Sequence, residues 1–243
     1  MQEFETFTYL DVPKTGSTFI CDMLKTYSSE KEVKRERHCG VDTRHKERFY
    51  FISVRNPLDQ YISLFSYGCQ GYGGMVRRFA NRGFDHLYDN SWDAFKYWLE
   101  FVLDPENANM LDRDCEQLEP LGCLVGYQSL CVLLLSFAKA KKKLSKRAKS
   151  NKEEIRTLFA SKNISRFTIR YEHLVADLIE LVSGRIPNSI SNVEGAVRHI
   201  RAGKPSNASD RIDRYYVDIA LSGKLRNVLM DREWLLYENF GYA

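Results

Sequence analysis

Apolar and aromatic positions gather into short runs that stop at polar turns and give way to helical patterns. Phe7 to Val12 read F-T-Y-L-D-V, β-prone residues closed by Pro13, after which Gly16, Ser17 and Thr18 open a helix. Phe49 to Val54 read F-Y-F-I-S-V, a run suited to a buried strand, and it ends at Arg55. Asn56 is a good N-cap and Pro57 suits the first helical position, so a helix is expected from about Pro57 to Tyr67. A third strand is expected near Thr168 to Tyr171, where residues alternate ahead of another helix. Met75 to Ser161 read as largely helical, and the spacing of Trp92, Phe95 and Trp98 places them on one packed face.

Two segments of that helical stretch depart from the amphipathic pattern. Leu121 to Ala138 form 18 residues without a formal charge, but two glycines, Gln128 and two serines interrupt them, which favours a buried helix over a membrane span. Lys139 to Lys149 hold seven cations in eleven residues, a pattern of solvated helix faces that an acidic glycan or anionic membrane surface could also use. Ser28 to Arg48 are too charged and broken for a core element.

Composition narrows the class. With 243 residues, 44% hydrophobic and 28% charged, the chain fits a single globular domain spanning 1–243. A net charge of +4 favours anionic ligands in a general way and implies no nucleic acid. Cys21, Cys39, Cys69, Cys115, Cys123 and Cys131 show neither C-x-x-C spacing nor a paired histidine pattern, so free thiols are expected and no metal site is read. The first strand begins almost at once, leaving no room for a signal peptide or membrane anchor, so no transmembrane segment is expected.

The first strand-turn-helix is built to hold an anion. The free amides of a helix start, the positive end of its dipole and the charge of Lys14 together suit a phosphate or sulfate group. The order differs from a Walker A loop, because Lys14 precedes Gly16 by two residues instead of following a glycine. Arg55 and Ser63, the latter about two helical turns past Asn56, suit a phosphate monoester through a guanidinium fork and a hydroxyl.

Three segments resemble sulfotransferases that use 3′-phosphoadenosine 5′-phosphosulfate (PAPS). P-K-T-G-S-T at 13–18 is similar to their 5′-phosphosulfate loop, R-N-P-L-D-Q-Y-I-S at 55–63 to their 3′-phosphate segment, and R-Y-E-H-L at 170–174 to a later strand-helix segment. The resemblance implies that Lys14, Thr15, Gly16, Ser17, Thr18, Arg55 and Ser63 bind the donor. It makes Tyr171 a candidate contact for adenine, beside the reading of a core tyrosine. Ile200 to Arg211 resemble the nucleotide-covering loop loosely, with Lys204, Ser206 and Ser209 in question, and Tyr215 to Tyr242 resemble the tail of carbohydrate-type members.

The implied fold is α/β, three-layered and P-loop-like. Its short parallel sheet comes from the strands near 7–12, 49–54 and 167–171, with helices on both faces and the helical insertion shaping the acceptor pocket. The implied reaction is in-line sulfuryl transfer without metal to a hydroxyl, or an amine, of a carbohydrate or small metabolite. Lys14 and a general base would be the catalytic groups. His38 in R-H-C-G is the first choice of base, with His45 and Glu36 as alternatives. A P-loop kinase using ATP and magnesium, or a nucleotide-binding module without catalysis, are the rival classes. The expected location is cytoplasmic, as in a bacterium, or the Golgi lumen for a trimmed chain. In the cytoplasm the sequons at Asn163 and Asn207 would carry little meaning.

Overall fold

The apolar runs become neighbouring strands in a computed structural model that describes residues 1–146, 151–203 and 223–242. The strands are β1 (Gln2–Phe4), β2 (Phe7–Leu10), β3 (Glu32–Arg35), β4 (Phe49–Val54) and β5 (Phe167–Arg170), in the sheet order β3-β1-β2-β4-β5. The main helices before the insertion are α1 (Ser17–Tyr27) and α2 (Pro57–Cys69), and α3 (Gly74–Ala80) opens it. Within it lie α4 (Trp92–Leu103), the short α5 (Ala108–Leu111), α6 (Arg113–Gln117) and α7 (Glu119–Gly122), then α8 (Tyr127–Ser136), α9 (Ala140–Lys146) and α10 (Lys152–Lys162). After β5 come α11 (Leu174–Glu180), α12 (Val193–Ala202), α13 (Lys224–Arg232) and α14 (Trp234–Phe240).

The described residues divide into two units, the first comprising 1–55, 132–140 and 161–203. It holds the sheet. β2 and β4 run parallel with Phe7 opposite Phe49, and β4 and β5 run parallel with Phe51 opposite Phe167. The expectation of a wholly parallel sheet is corrected by β1 and β3, which add antiparallel strands on the far side of β2. Only Glu5 and Thr6 separate β1 from β2, too short a link for a parallel crossover. β3 lies within the charged stretch and is mostly exposed, so its Lys34 and Arg35 protect a sheet edge instead of filling a core. Phe4, Phe7, Tyr9 and Phe51 pack with Ile20 and Leu24 of α1, Leu178 of α11 and Ile200 of α12, which flank the sheet.

The second unit, described at 56–131, 141–146, 151–160 and 223–242, is helical. On α4 the Ser91 hydroxyl caps the Ala94 amide at 3.2 Å. Phe95 and Trp98 are buried as their spacing predicts, while Tyr97 faces outward. The uncharged stretch from Leu121 to Ala138 is not one helix, which corrects the single buried helix expected there. It breaks between α7 and α8, where the Gly126 amide donates to the Arg232 carbonyl at 2.6 Å. Trp234 Nε1 donates to the Leu124 carbonyl at 3.1 Å. The Glu233 carboxylate is fully buried at the start of α8 and accepts from the Gln128 amide at 3.2 Å and the Ser129 amide at 2.8 Å. The Ser129 hydroxyl at 2.7 Å and the Tyr61 phenol complete its partners, so this charge is satisfied inside the unit. Among the described residues no helix is long and apolar enough to cross a membrane.

Candidate functional site

β2 ends at Leu10, and six residues lie between it and the start of α1 at Ser17. Lys14 and Gly16 both take left-handed backbone conformations, at φ 64° and 83°, and so curl the chain tightly around Thr15. Gly16 is the N-cap of α1 and supplies no side-chain cap. The first bond within the helix runs from the Ile20 amide to the Gly16 carbonyl, so the amides of Ser17, Thr18 and Phe19 have no acceptor inside α1. Those amides lie at the positive end of the helix dipole, an arrangement that suits an anion. A Cβ on Gly16 would lie 3.2 Å from Cδ2 of Tyr171, a tight contact, and φ 83° strains any other residue there.

Arg55, at the end of β4, is buried and braces this turn. Its Nη1 donates to the Lys14 carbonyl at 3.3 Å, and its guanidinium carbon sits 4.1 Å from the centre of the Tyr171 ring. Tyr171 follows β5 directly. Its ring thus backs Gly16 along one edge and carries Arg55 on one face, leaving that face closed to a base. The Asp177 carboxylate accepts the Arg170 amide at 2.8 Å and fixes the step from β5 into the following helix. Ser63 belongs to the second unit, where it is buried on α2.

His38 is brought to the same strand end. Its amide donates to Asp11 Oδ1 at 3.0 Å, and its ring Nδ1 lies 2.8 Å from the Asp11 carbonyl oxygen. A carbonyl can only accept, so Nδ1 carries the proton and neutral His38 presents its lone pair at Nε2. The ring is 41% exposed. Behind it, the loop is seated by a close approach at Gly40, where a Cβ would be 2.8 Å from the Leu134 carbonyl oxygen. The Lys139 amide donates to the Val41 carbonyl at 2.7 Å nearby. Lys14, His38 and Lys139 are the non-glycine residues with left-handed backbone among those described, and two of them are the candidate catalytic pair. Glu36 is exposed and paired with Lys34 at 2.9 Å, whose hydrogen bond lowers its pKa and weakens it as a base. His45 is exposed and is tied by its amide to the Tyr50 hydroxyl at 3.0 Å.

A family model described as "Sulfotransferase family" matches residues 1–229. The chain belongs to the sulfotransferase family. No curated protein and no solved structure matches it.

In this sulfotransferase-family chain, the first unit gathers Lys14, Thr15, Gly16, Ser17, Thr18, Arg55, Tyr171 and His38, and Ser63 lies in the second. Lys204, Ser206 and Ser209 lie outside the described residues. The Thr15 side chain is directed into the unit, where its hydroxyl donates to the Val12 carbonyl at 2.8 Å, so only its amide can serve a ligand. Asp11 and Ser53 were not singled out in the sequence. Ser53 left a readable trace as the one polar residue in an apolar strand, whereas nothing local marks Asp11 as a partner of His38. All six cysteines are free, and among the described residues no cluster of His, Cys, Asp and Glu could hold a metal.

Proposed function

We propose that this chain is a PAPS-dependent sulfotransferase acting on a hydroxyl, or an amine, of a carbohydrate or small-metabolite acceptor. The observation that carries the reading is that the chain after β2 passes through Lys14 into an uncapped helix start, while Asp11 just past the same strand end holds Nδ1 of His38. The residues fit a phosphosulfate group: two left-handed positions curl the turn, glycine leaves no Cβ in it, and three amides lack helical acceptors. Bound PAPS would supply the activated sulfuryl group. The amides from Thr15 to Thr18 and the Lys14 ammonium hold and neutralise the 5′ end, with Lys14 stabilising charge that develops on the leaving oxygen. Arg55 and Ser63 are the proposed side-chain contacts of the 3′-phosphate, the latter on the strength of the R-N-P-x-D-x-x-x-S pattern. Nε2 of His38 takes the proton of the acceptor as it attacks. Tyr171 supports Arg55, and any contact it makes with adenine uses ring surface that Arg55 leaves open.

The test is binding of 3′-phosphoadenosine 5′-phosphate (PAP) against ADP without magnesium, by calorimetry, for wild type and Arg55→Ala. Because Arg55 also braces the Lys14 turn, affinity for both ligands falls in the variant, and the ratio between them is the readout. A preference for the 3′-phosphate form that shrinks about tenfold or more in Arg55→Ala supports the reading. Equal binding by wild type, or a preference for ADP that appears only with magnesium, overturns it in favour of a kinase-like protein.

A further inference from the structure

We propose that Ser53 and Thr15 are positioning residues, forming with Tyr9 a buried chain of hydroxyls that holds the Lys14–Gly16 turn in its ligand-ready shape; this rests on the reading of that turn as the donor site. Tyr9, Ser53 and Thr15 are fully buried in the first unit. Tyr9 Oη lies 2.6 Å from Ser53 Oγ, and Ser53 Oγ is hydrogen-bonded to Thr15 Oγ1. Each hydroxyl has one proton to give, and Thr15 gives its own to the Val12 carbonyl at 2.8 Å. Thr15 must therefore accept from Ser53, and Ser53 must accept from Tyr9. The chain has one polarity, Tyr9 to Ser53 to Thr15 to Val12, and burial keeps the Tyr9 phenol protonated as its first donor.

Its position gives it a purpose beyond packing. Thr15 sits between the two left-handed residues, and Val12 is the last residue before the Pro13 stop. Pinning the Thr15 side chain beneath the turn fixes the peptides on either side of it, which are the ones whose amides face a ligand. A non-glycine residue in the left-handed region persists only where its surroundings over-determine it. Here Arg55 holds the Lys14 carbonyl from one side and the hydroxyl chain holds Thr15 from the other. Cutting the chain at Ser53 or Thr15 lets the turn relax and makes ligand binding carry the cost of re-forming it.

The experiment uses the full chain and four variants. Ser53→Ala and Thr15→Val break the chain at the turn. Tyr9→Phe removes only its far end and leaves the link from Ser53 through Thr15 to Val12 intact. Thr15→Ser keeps the hydroxyl. Hydrogen exchange of the Ile20 amide, which donates to the Gly16 carbonyl, is expected to quicken about tenfold in the first two in the unliganded protein and to stay within about twofold of wild type in the others. PAP affinity should follow the same order, although Tyr9→Phe also lowers thermal stability. Exchange or affinity that falls in proportion to stability across all variants, or is unchanged in Ser53→Ala and Thr15→Val, overturns the proposal. Failure of wild type to bind PAP would sink the donor-site reading alone, since the exchange data on unliganded protein still decide the role of the chain.

Discussion

The two strand-to-helix junctions that carry the family motifs solve the same problem in opposite ways. At the first, Gly16 starts α1 without a side-chain cap, and the amides that follow have no acceptor within the helix. At the second, the Asn56 side chain accepts from the Leu58 amide at 3.0 Å and the Asp59 amide at 3.5 Å, and Pro57 has no amide to offer. A helix dipole is present at both, yet only the uncapped start can use its backbone to bind an anion. At the second junction, the proposed 3′-phosphate contacts have to come from side chains. The strain is distributed in the same way: Lys14 and Gly16 are left-handed, whereas Arg55 and Asn56 are not.

Removing the charge at the first junction should have the largest effect. Lys14→Ala is expected to lower turnover of PAPS by about 10²–10³-fold with the fold intact by circular dichroism, as for loss of one donor to a developing oxyanion. Turnover within a few-fold of wild type would show that the open amides suffice. His38→Ala should reduce kcat about 10²-fold while PAP affinity is retained, and the acidic limb of the pH–rate profile should disappear with it. A variant that keeps this limb would move the base elsewhere.

Changes to the backbone sharpen the contrast further. Gly16→Ala forces a Cβ against Tyr171 at a left-handed position and is expected to cost roughly 1–2 kcal/mol of stability, with PAP binding largely lost. Asn56→Ala should cost about 1 kcal/mol in denaturant unfolding through loss of the cap. Its PAP affinity should stay within about threefold of wild type. If Asn56→Ala weakened PAP as strongly as Gly16→Ala, the division of labour between the junctions would collapse. The smallest expected effect isolates strain from charge: Lys14→Gly should be more stable than Lys14→Ala by about 0.5–1 kcal/mol, because glycine adopts φ 64° freely, while both lose turnover.

Much of this was legible locally. The three parallel strands, the P-K-T-G-S-T turn, the Asn56–Pro57 start of α2 and the buried face of α4 all depend on residues within a few positions of one another. Elements that depend on distant partners leave no such local signal. The uncharged stretch that looked like one helix is broken by Arg232, Glu233 and Trp234, more than a hundred positions away. The charged segment before β4 yielded an edge strand because β1 was there to pair with it.

By itself the sequence determined which residues could bind an anion, since strand, proline stop, glycine turn and helix start follow from local backbone preferences. Tertiary structure alone decided what each side chain does there. It put Nδ1 of His38 on the Asp11 carbonyl, set Arg55 over Tyr171 and turned the Thr15 hydroxyl inward to Ser53. Hydrogen-bond direction and burial are set by whichever groups the fold brings within about 3 Å, and sequence separation carries no trace of that distance.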